Sequence, residues 1–453
     1  YVTDFIFSTE QWGIAMKEFI LRERESYTKR LIASLGNGKL KVITGPRGCG
    51  KTCVLRLLEQ YLAEHGQEKT RVIRINFESI DFPAMSAKEL IQYITRQKQE
   101  NMILLLDEIQ HVRGWEEAVN VLTEDPSYDI FLASSNKSIY SGRLQAVQEE
   151  ALYEEISVLP LSFGEFIESH GFRDMNPDAP LQERRFSGTN DLLYDLEEVY
   201  YLYIKYGGFP LLVDLGLDVD KARVVLEGAY STIIVRDIQE LEKQSARRVI
   251  TDPILLRNII TVLAANIGHN ISATGVGKYL NAARESEDGS RPKKHATKTL
   301  EIYIEALLHA HLFYESRRYD IPGERYLKTL SKYYIADAGL HNYLRKIREQ
   351  DRKGLLENKV FFELIRRGYK VCNGKIGSQE VNFIATRGEE KNYIQVAEDL
   401  TGERESQILA PLRKIRDNYP KAVVVFRGDN GKTKDGILIR NALEVLLGGP
   451  LLG

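Results

Sequence analysis

Along residues 26–165, short apolar runs rich in β-branched residues alternate with stretches whose apolar positions recur three and four apart. That alternation is what parallel strands joined by crossover helices produce. The runs predict strands at 40–44, 71–77, 102–106, 129–133 and 155–159. From 190 to 265 the period is helical, as in DLLYDLEEVYYLYIKY, and it breaks at YGGFP (206–210), where glycine and proline stop a helix. Residues 266–345 read as helices followed by a hairpin-like stretch, with a polar loop at 281–298. Residues 354–447 return to mixed α/β, with a helix around 355–367 and strands near 380–386, 393–397 and 422–426. No internal repeat is visible.

Composition adds bounds. A chain of 453 residues is too long for one ordinary core. The division read from the pattern is 1–25, 26–189, 190–265, 266–345 and 346–453. Apolar content of 43% and charged content of 28% are those of a globular protein. A net charge of -2 gives no global basic field, so any nucleic-acid contact must come from a local patch. No apolar run reaches the ~20 residues of a membrane span, and no membrane association is expected. The cysteines, Cys49, Cys53 and Cys372, are too few and too badly spaced for a disulfide framework or a zinc site. The first residues lack the basic-then-apolar pattern of a signal peptide. The expected compartment is a reducing cytoplasm.

The chemistry starts at Gly45. The stretch GPRGCGKT fits G-x-x-x-x-G-K-[ST] at every fixed position, between an expected strand and an expected helix. Glycines let such a loop wind until successive N–H groups face inward, and the following helix adds its positive end. The expected phosphate cradle comprises Gly45, Pro46, Arg47, Gly48, Cys49, Gly50, Lys51, Thr52 and Cys53. Lys51 would reach the terminal phosphates of ATP, and Thr52 would offer a hard oxygen to Mg²⁺.

A second strand, in NMILLLDEIQ, ends in Asp107 and Glu108. The first carboxylate would help hold Mg²⁺, and the second would polarise the attacking water. An acidic pair also suits a plain helix N-terminus, but here it follows a phosphate loop. A third strand ends in FLASSNKS, where Asn136, or Ser135, would orient water and the γ-phosphate. The expected catalytic set is therefore Lys51, Asp107, Glu108 and Asn136, with Thr52 and Asp107 toward the metal.

Nine segments in order, among them VITGPRGCGKT, LLLDEIQHVRGWE, VLPLSFGEF, YGGFP, KYYIADAGL, LLENKVFFELIRRGY and EVNFIATRG, resemble the bacterial and archaeal AAA-type ATPases that carry a C-terminal domain of unknown function related to the PD-(D/E)xK nuclease fold. The resemblance implies an α/β P-loop core with parallel sheet order 5-1-4-3-2, a helical lid, a winged helix and a nuclease-like α/β domain. It implies that Gly208 and Pro210 lie near the nucleotide. It also exposes departures. Gly48 stands where the family often has a second arginine, and a Gly-Arg pair is missing before the fifth strand. Arg143 and Arg236 remain candidates for a trans-acting arginine.

In the expected winged helix, residues 298–309 would be the recognition helix and SRRYD the wing, with Lys293, Lys294, Lys298, Arg317 and Arg318 toward phosphates. Glu301 and Glu305 on the same helix argue against a duplex, so DNA, a protein partner or a second copy of the chain all remain open. His309 and His311 are not read as a metal pair, because i and i+2 do not share a helix face. A working nuclease of this fold needs an acidic residue and then Glu-x-Lys. Here the matching positions are Asn382, Gln395 and Ala397, which leaves Glu357 and Glu380. That set makes a poor Mg²⁺ cage, so a non-cutting version is expected. The function read from the sequence is a Mg²⁺-dependent ATPase, or else an ATP-held switch that scarcely hydrolyses.

Overall fold

The computed structural model describes residues 21–65, 70–79, 82, 84–137, 144, 152–189, 191–233, 238, 250, 252–288, 295–328 and 330–452. A first helix, α1 (Glu25–Ala33), leads into β1 (Leu40–Thr44), α2 (Lys51–His65), β2 (Thr70–Asn76), α3 (Ala87–Thr95), β3 (Asn101–Asp107), α4 (Trp115–Thr123), β4 (Tyr128–Ser134) and β5 (Tyr153–Ser157). The five strands are all parallel, in the order β2-β3-β4-β1-β5. This is the expected 5-1-4-3-2 order counted from the other edge. Helices cover both faces, which is why β1 and β3 read as unbroken apolar runs rather than alternating ones. Val42, Leu104 and Leu132 pack on the α3–α4 side. Ile43, Leu105 and Phe131 pack on the α1–α2 side.

Next come α5 (Phe163–Ser169), the short strands β6 (Arg173–Asp174), β7 (Arg185–Ser187) and β8 (Leu193–Asp195), then α6 (Leu196–Tyr206) and α7 (Val219–Thr232). The apolar period predicts a helix that begins before β8. It starts at Leu196 because Asp195 and Glu198 close a reciprocal capping box. The residues just before the cap pair as a strand with β7.

Three helices follow, α8 (Pro253–Ala265), α9 (Ala273–Asp288) and α10 (Thr297–His309), then β9 (Phe313–Ser316), β10 (Arg318–Asp320), β11 (Arg325–Tyr326), β12 (Lys332–Ile335) and α11 (Ala338–Leu344). β9 pairs antiparallel with β12. The SRRYD stretch, expected as a wing, starts in that hairpin with Ser316 opposite Lys332 and then departs from it. Arg318, Tyr319 and Asp320 pair in parallel with Asn373, Gly374 and Lys375 of the C-terminal sheet. Tyr319 and Ile321 pack against that sheet's core, and its edge supplies ladder partners that a free hairpin lacks.

The remainder is α12 (Arg352–Arg366), β13 (Lys370–Ile376), β14 (Gln379–Arg387), β15 (Glu390–Ala397), α13 (Glu403–Lys414), β16 (Lys421–Val425), β17 (Gly431–Lys432), β18 (Leu438–Asn441) and α14 (Ala442–Leu446). With β10 and β11 these strands make an eight-stranded sheet, β11-β10-β13-β14-β15-β16-β18-β17. One apolar core runs through α5–α7, the helix–strand unit α8–α11 (residues 253–344) and this sheet, and includes Phe163, Tyr203, Leu256, Ile335, Phe361 and Phe383. Among the described residues, no helix is long and apolar enough to cross a membrane.

Candidate nucleotide site

The loop between β1 and α2 is wound by three glycines, Gly45, Gly48 and Gly50, at φ of 150°, 79° and 102°. Side chains rarely adopt such angles. Gly45 is the tightest, since a Cβ there would lie 1.9 Å from the Val158 carbonyl oxygen. Gly45→Ala is expected to cost about 1–3 kcal/mol through forced backbone strain. A thermal melt at the parent's midpoint would contradict this.

Lys51 is buried at the start of α2. Its Nζ donates to the Gly45 and Pro46 carbonyls at 3.0 and 3.2 Å and lies 3.5 Å from Glu108 Oε1. The Cys49 thiol is buried against the Val158 carbonyl at 3.1 Å, and burial pushes its pKa up. Cys53 sits half-buried in the first turn of α2. All three cysteines are free. Arg47 pairs with Glu78 at 2.8 Å. Glu78 also meets His111 at 3.3 Å. Burial resists ionisation of that carboxyl, but His111 and Arg47 together lower its pKa to about 2.

β3 delivers the carboxylate pair to the same place. The Thr52 hydroxyl donates to Asp107 Oδ2 at 2.6 Å. Asp107 Oδ1 is buried with no hydrogen-bond partner. A buried oxygen without a donor is costly, and it fits a hard cation approached from that side. Thr52 and Asp107 therefore suit Mg²⁺, which takes a few protein oxygens and keeps water and phosphate for the rest. Among the described residues no cluster of three or more His, Cys, Asp or Glu could hold a metal alone. Burial and the neighbouring Glu108 charge raise the Asp107 pKa to about 6.

Glu108 adopts left-handed backbone, φ 54°, in the turn after β3. Its Oε2 accepts from Ser135 N at 3.1 Å and Ser135 Oγ at 2.9 Å, and from the Gln110 amide. Burial favours its neutral form, but Lys51 and Arg47 outweigh that and lower its pKa. Asn136 lies just past β4, between β3 and β1, with its N–H donated to Ser134 Oγ at 3.1 Å. Ser135 thus touches Glu108 through both its backbone and its hydroxyl.

The YGGFP break also reaches the loop. A Cβ added at Gly48 would sit 3.8 Å from Phe209, and one at Gly50 would sit 3.8 Å from Pro210. Gly208 is fixed from both sides: its carbonyl accepts from Leu161 N at 2.7 Å, and its N–H donates to Asp337 Oδ2 at 2.6 Å. Asp337, buried at the N-cap of α11, accepts also from Gly339 N and Leu340 N. The sequence segments YGGFP and KYYIADAGL, remote along the chain, thus form one clamp beside the phosphate loop. Sequence reading missed Arg24. It is 3% exposed, donates to the Cys49 and Leu159 carbonyls at 3.0 Å each, and pairs with Glu165 at 2.6 Å. No periodicity marks a lone arginine in a charged stretch, so only the fold reveals it. Arg143, Arg236, Lys293 and Lys294 lie outside the described residues.

In the C-terminal sheet, Glu357, Asn382 and Gln395 do come together. Glu357 Oε2 accepts from the Asn382 amide at 2.7 Å, and Gln395 Oε1 accepts from Asn382 N at 3.0 Å. The cation beside them is the protein's own. Lys332 Nζ, 1% exposed, donates to Glu357 Oε1 at 2.7 Å and pairs with Glu380. The Tyr334 hydroxyl adds a third donor to Glu357 at 2.7 Å. Ala397 is buried and brings no ligand.

The loop, the carboxylates at the end of β3 and the β2-β3-β4-β1-β5 sheet define an AAA-type P-loop domain of the ATP-binding ATPase class. A family model described as an AAA domain matches residues 37–167, and one described as a domain of unknown function (DUF8612) matches 197–351. A Haemophilus influenzae protein, named only "Uncharacterized protein", is 33% identical over 431 residues, 94% of this chain and 98% of its own. The chain belongs to the family of that protein. Among solved structures, the Walker-type ATPase PABY2304 of Pyrococcus abyssi is 18% identical, with a TM-score of 0.45 over 71% of this chain and 95% of its own. Cdc6p of Pyrobaculum aerophilum is 16% identical, with a TM-score of 0.28 over 73% and 94%. At those TM-scores neither carries weight.

Proposed function

We propose that this chain is a Mg²⁺-dependent ATPase that cleaves ATP to ADP and phosphate at the β1–α2 loop. The observation that carries the reading is that the adjacent residues Lys51 and Thr52 meet the adjacent carboxylates at the end of β3, Thr52 hydrogen-bonding Asp107 and Lys51 facing Glu108. Lys51 meets the terminal phosphates. Thr52 and Asp107 hold Mg²⁺, which when bound offsets charge on the phosphate oxygens. Glu108, kept ionised by Lys51 and Arg47, polarises a water for in-line attack. Ser135 orients Glu108, and Asn136, just past β4, is read as the residue that meets that water or the phosphate.

The reading includes coupling. Phe209 and Pro210 lie against the loop glycines, and Gly208 is tied to Asp337. A shift of the loop with nucleotide state would move the clamp and with it the helix–strand unit, as γ-phosphate contacts order other switch segments. The nuclease-like sheet is read as a non-cutting platform, because Lys332 takes the cation's place.

The deciding experiment is steady-state phosphate release from ATP and Mg²⁺, with Glu108→Gln as the control and with a duplex-DNA arm. Turnover above the control supports the enzyme. Tight ATP binding without turnover makes the chain a nucleotide-held switch instead. A DNA-stimulated rate would make α10 a recognition helix, and an unchanged rate directs the search to protein partners. Lys51→Ala should lower ATP affinity about a hundredfold or more, through loss of a buried charge-assisted contact. Unchanged affinity by calorimetry would remove the site.

A further inference from the structure

A second set of polar side chains meets the strand ends from the helix–strand unit. Ser134 closes β4 in register with Thr44, the residue before the phosphate loop. Three positions later, Lys137 Nζ stands 5.0 Å over the ring of Tyr314 on β9. The Tyr314 hydroxyl is 3.0 Å from His311 Nδ1.

His311 carries two costs at once. It is 1% exposed, and its Nε2 has no hydrogen-bond partner. Its backbone is left-handed, φ 54°. It follows the C-cap of α10, with His311 N donating to the Leu308 carbonyl and Leu312 N to the Leu307 carbonyl. That is the helix-ending position where glycine is strongly preferred. The Tyr314 contact accounts for Nδ1 but not for Nε2 or for the backbone angle, and strain of this kind gathers at functional sites. The ring also lies in the field of the phosphate loop. Burial, then Lys137 and Lys51, hold its pKa well below the ordinary histidine value, so it is neutral.

We propose that His311 donates its Nε2–H to a terminal phosphate oxygen of the nucleotide at the β1–α2 loop, making the helix–strand unit the reader of that nucleotide. The inference rests on the ATP-site reading above. In the proposed tautomer the Tyr314 hydroxyl donates to Nδ1 and the ring proton sits on Nε2, the buried atom without a partner. An arriving phosphate supplies the missing acceptor and offsets the Lys51 and Lys137 charges. The contact would join α10 and β9 to the loop directly, in parallel with the Asp337 clamp.

The test uses the full chain, with His311→Gly and His311→Asn, both tolerant of the left-handed backbone. Each variant is titrated with fluorescent ADP and ATP in Mg²⁺, and each is melted with and without nucleotide. The expected result is about tenfold or greater loss of affinity, the size of a hydrogen bond to a charged group. Deleting a buried ring also orphans the Tyr314 hydroxyl, so the nucleotide-free melts can fall whatever the role of His311, and the deciding readout is the nucleotide-induced shift. A purely structural histidine would lower the melt without reducing the nucleotide-induced shift in each variant's own midpoint, and that result overturns the inference. So does parent-like affinity in both variants while Lys51→Ala has lost binding; the ATP-site reading then stands. A parent that binds no nucleotide sinks both.

Discussion

Glu108→Gln is expected to stop phosphate release while leaving ATP bound. Glu108 has two jobs in the geometry. One oxygen, Oε2, is occupied by Ser135 and Gln110. The other, Oε1, faces Lys51 at 3.5 Å. A glutamine of the same shape can keep an amide oxygen toward Ser135, so the turn after β3 should hold. It cannot keep the negative charge that polarises a water, and loss of such a group costs about 10²- to 10⁴-fold in rate. Single-turnover phosphate release and nucleotide titration separate the two effects. A variant as fast as the parent removes Glu108 from the chemistry. A variant that no longer binds ATP would show that the Lys51–Glu108 pair shapes the loop rather than the reaction.

Lys332→Met is expected to be the most damaging substitution outside the nucleotide site. Lys332 is fully buried and neutralises Glu357, itself buried. Removing one partner of a buried pair leaves an uncompensated charge and costs about 3–5 kcal/mol. Adding Glu357→Gln should recover part of the loss, because the stranded charge is then gone. If the double variant is no more stable than Lys332→Met alone, the pair is not the cause. Burial alone would lower the lysine's pKa, but Glu357 and Glu380 overcome this and raise it. The pair's contribution is therefore complete below about pH 10.4, the ordinary lysine value. It fades only as pH rises through the higher folded value. Urea melts at pH 7 read the deficit directly.

The sequence reading and the structure agree where the signal is local. Gly45, Gly48, Gly50, Lys51 and Thr52 sit side by side in the chain, and any loop that satisfies their backbone angles must turn the same way. β1, β3 and β4 are buried on both faces, so their apolar runs were legible too, with ends within a residue or two. The disagreement at SRRYD has an opposite cause. A three-residue strand has little intrinsic preference, and its partner, β13, lies far along the chain.

Glycine spacing, apolar period and adjacent carboxylates are properties of neighbouring residues, and they determined the core strands, the phosphate loop and the Asp107–Glu108 pair; the strand order was legible only through the family resemblance. Whether a buried polar group has a partner depends on atoms brought in from elsewhere. Arg24 under the loop, Asp337 on Gly208, Lys332 against Glu357 and His311 with Tyr314 are all of that kind. Each is an ordinary surface residue in the sequence. Only the tertiary structure decided that it is buried, and desolvation then makes its partner the feature that matters.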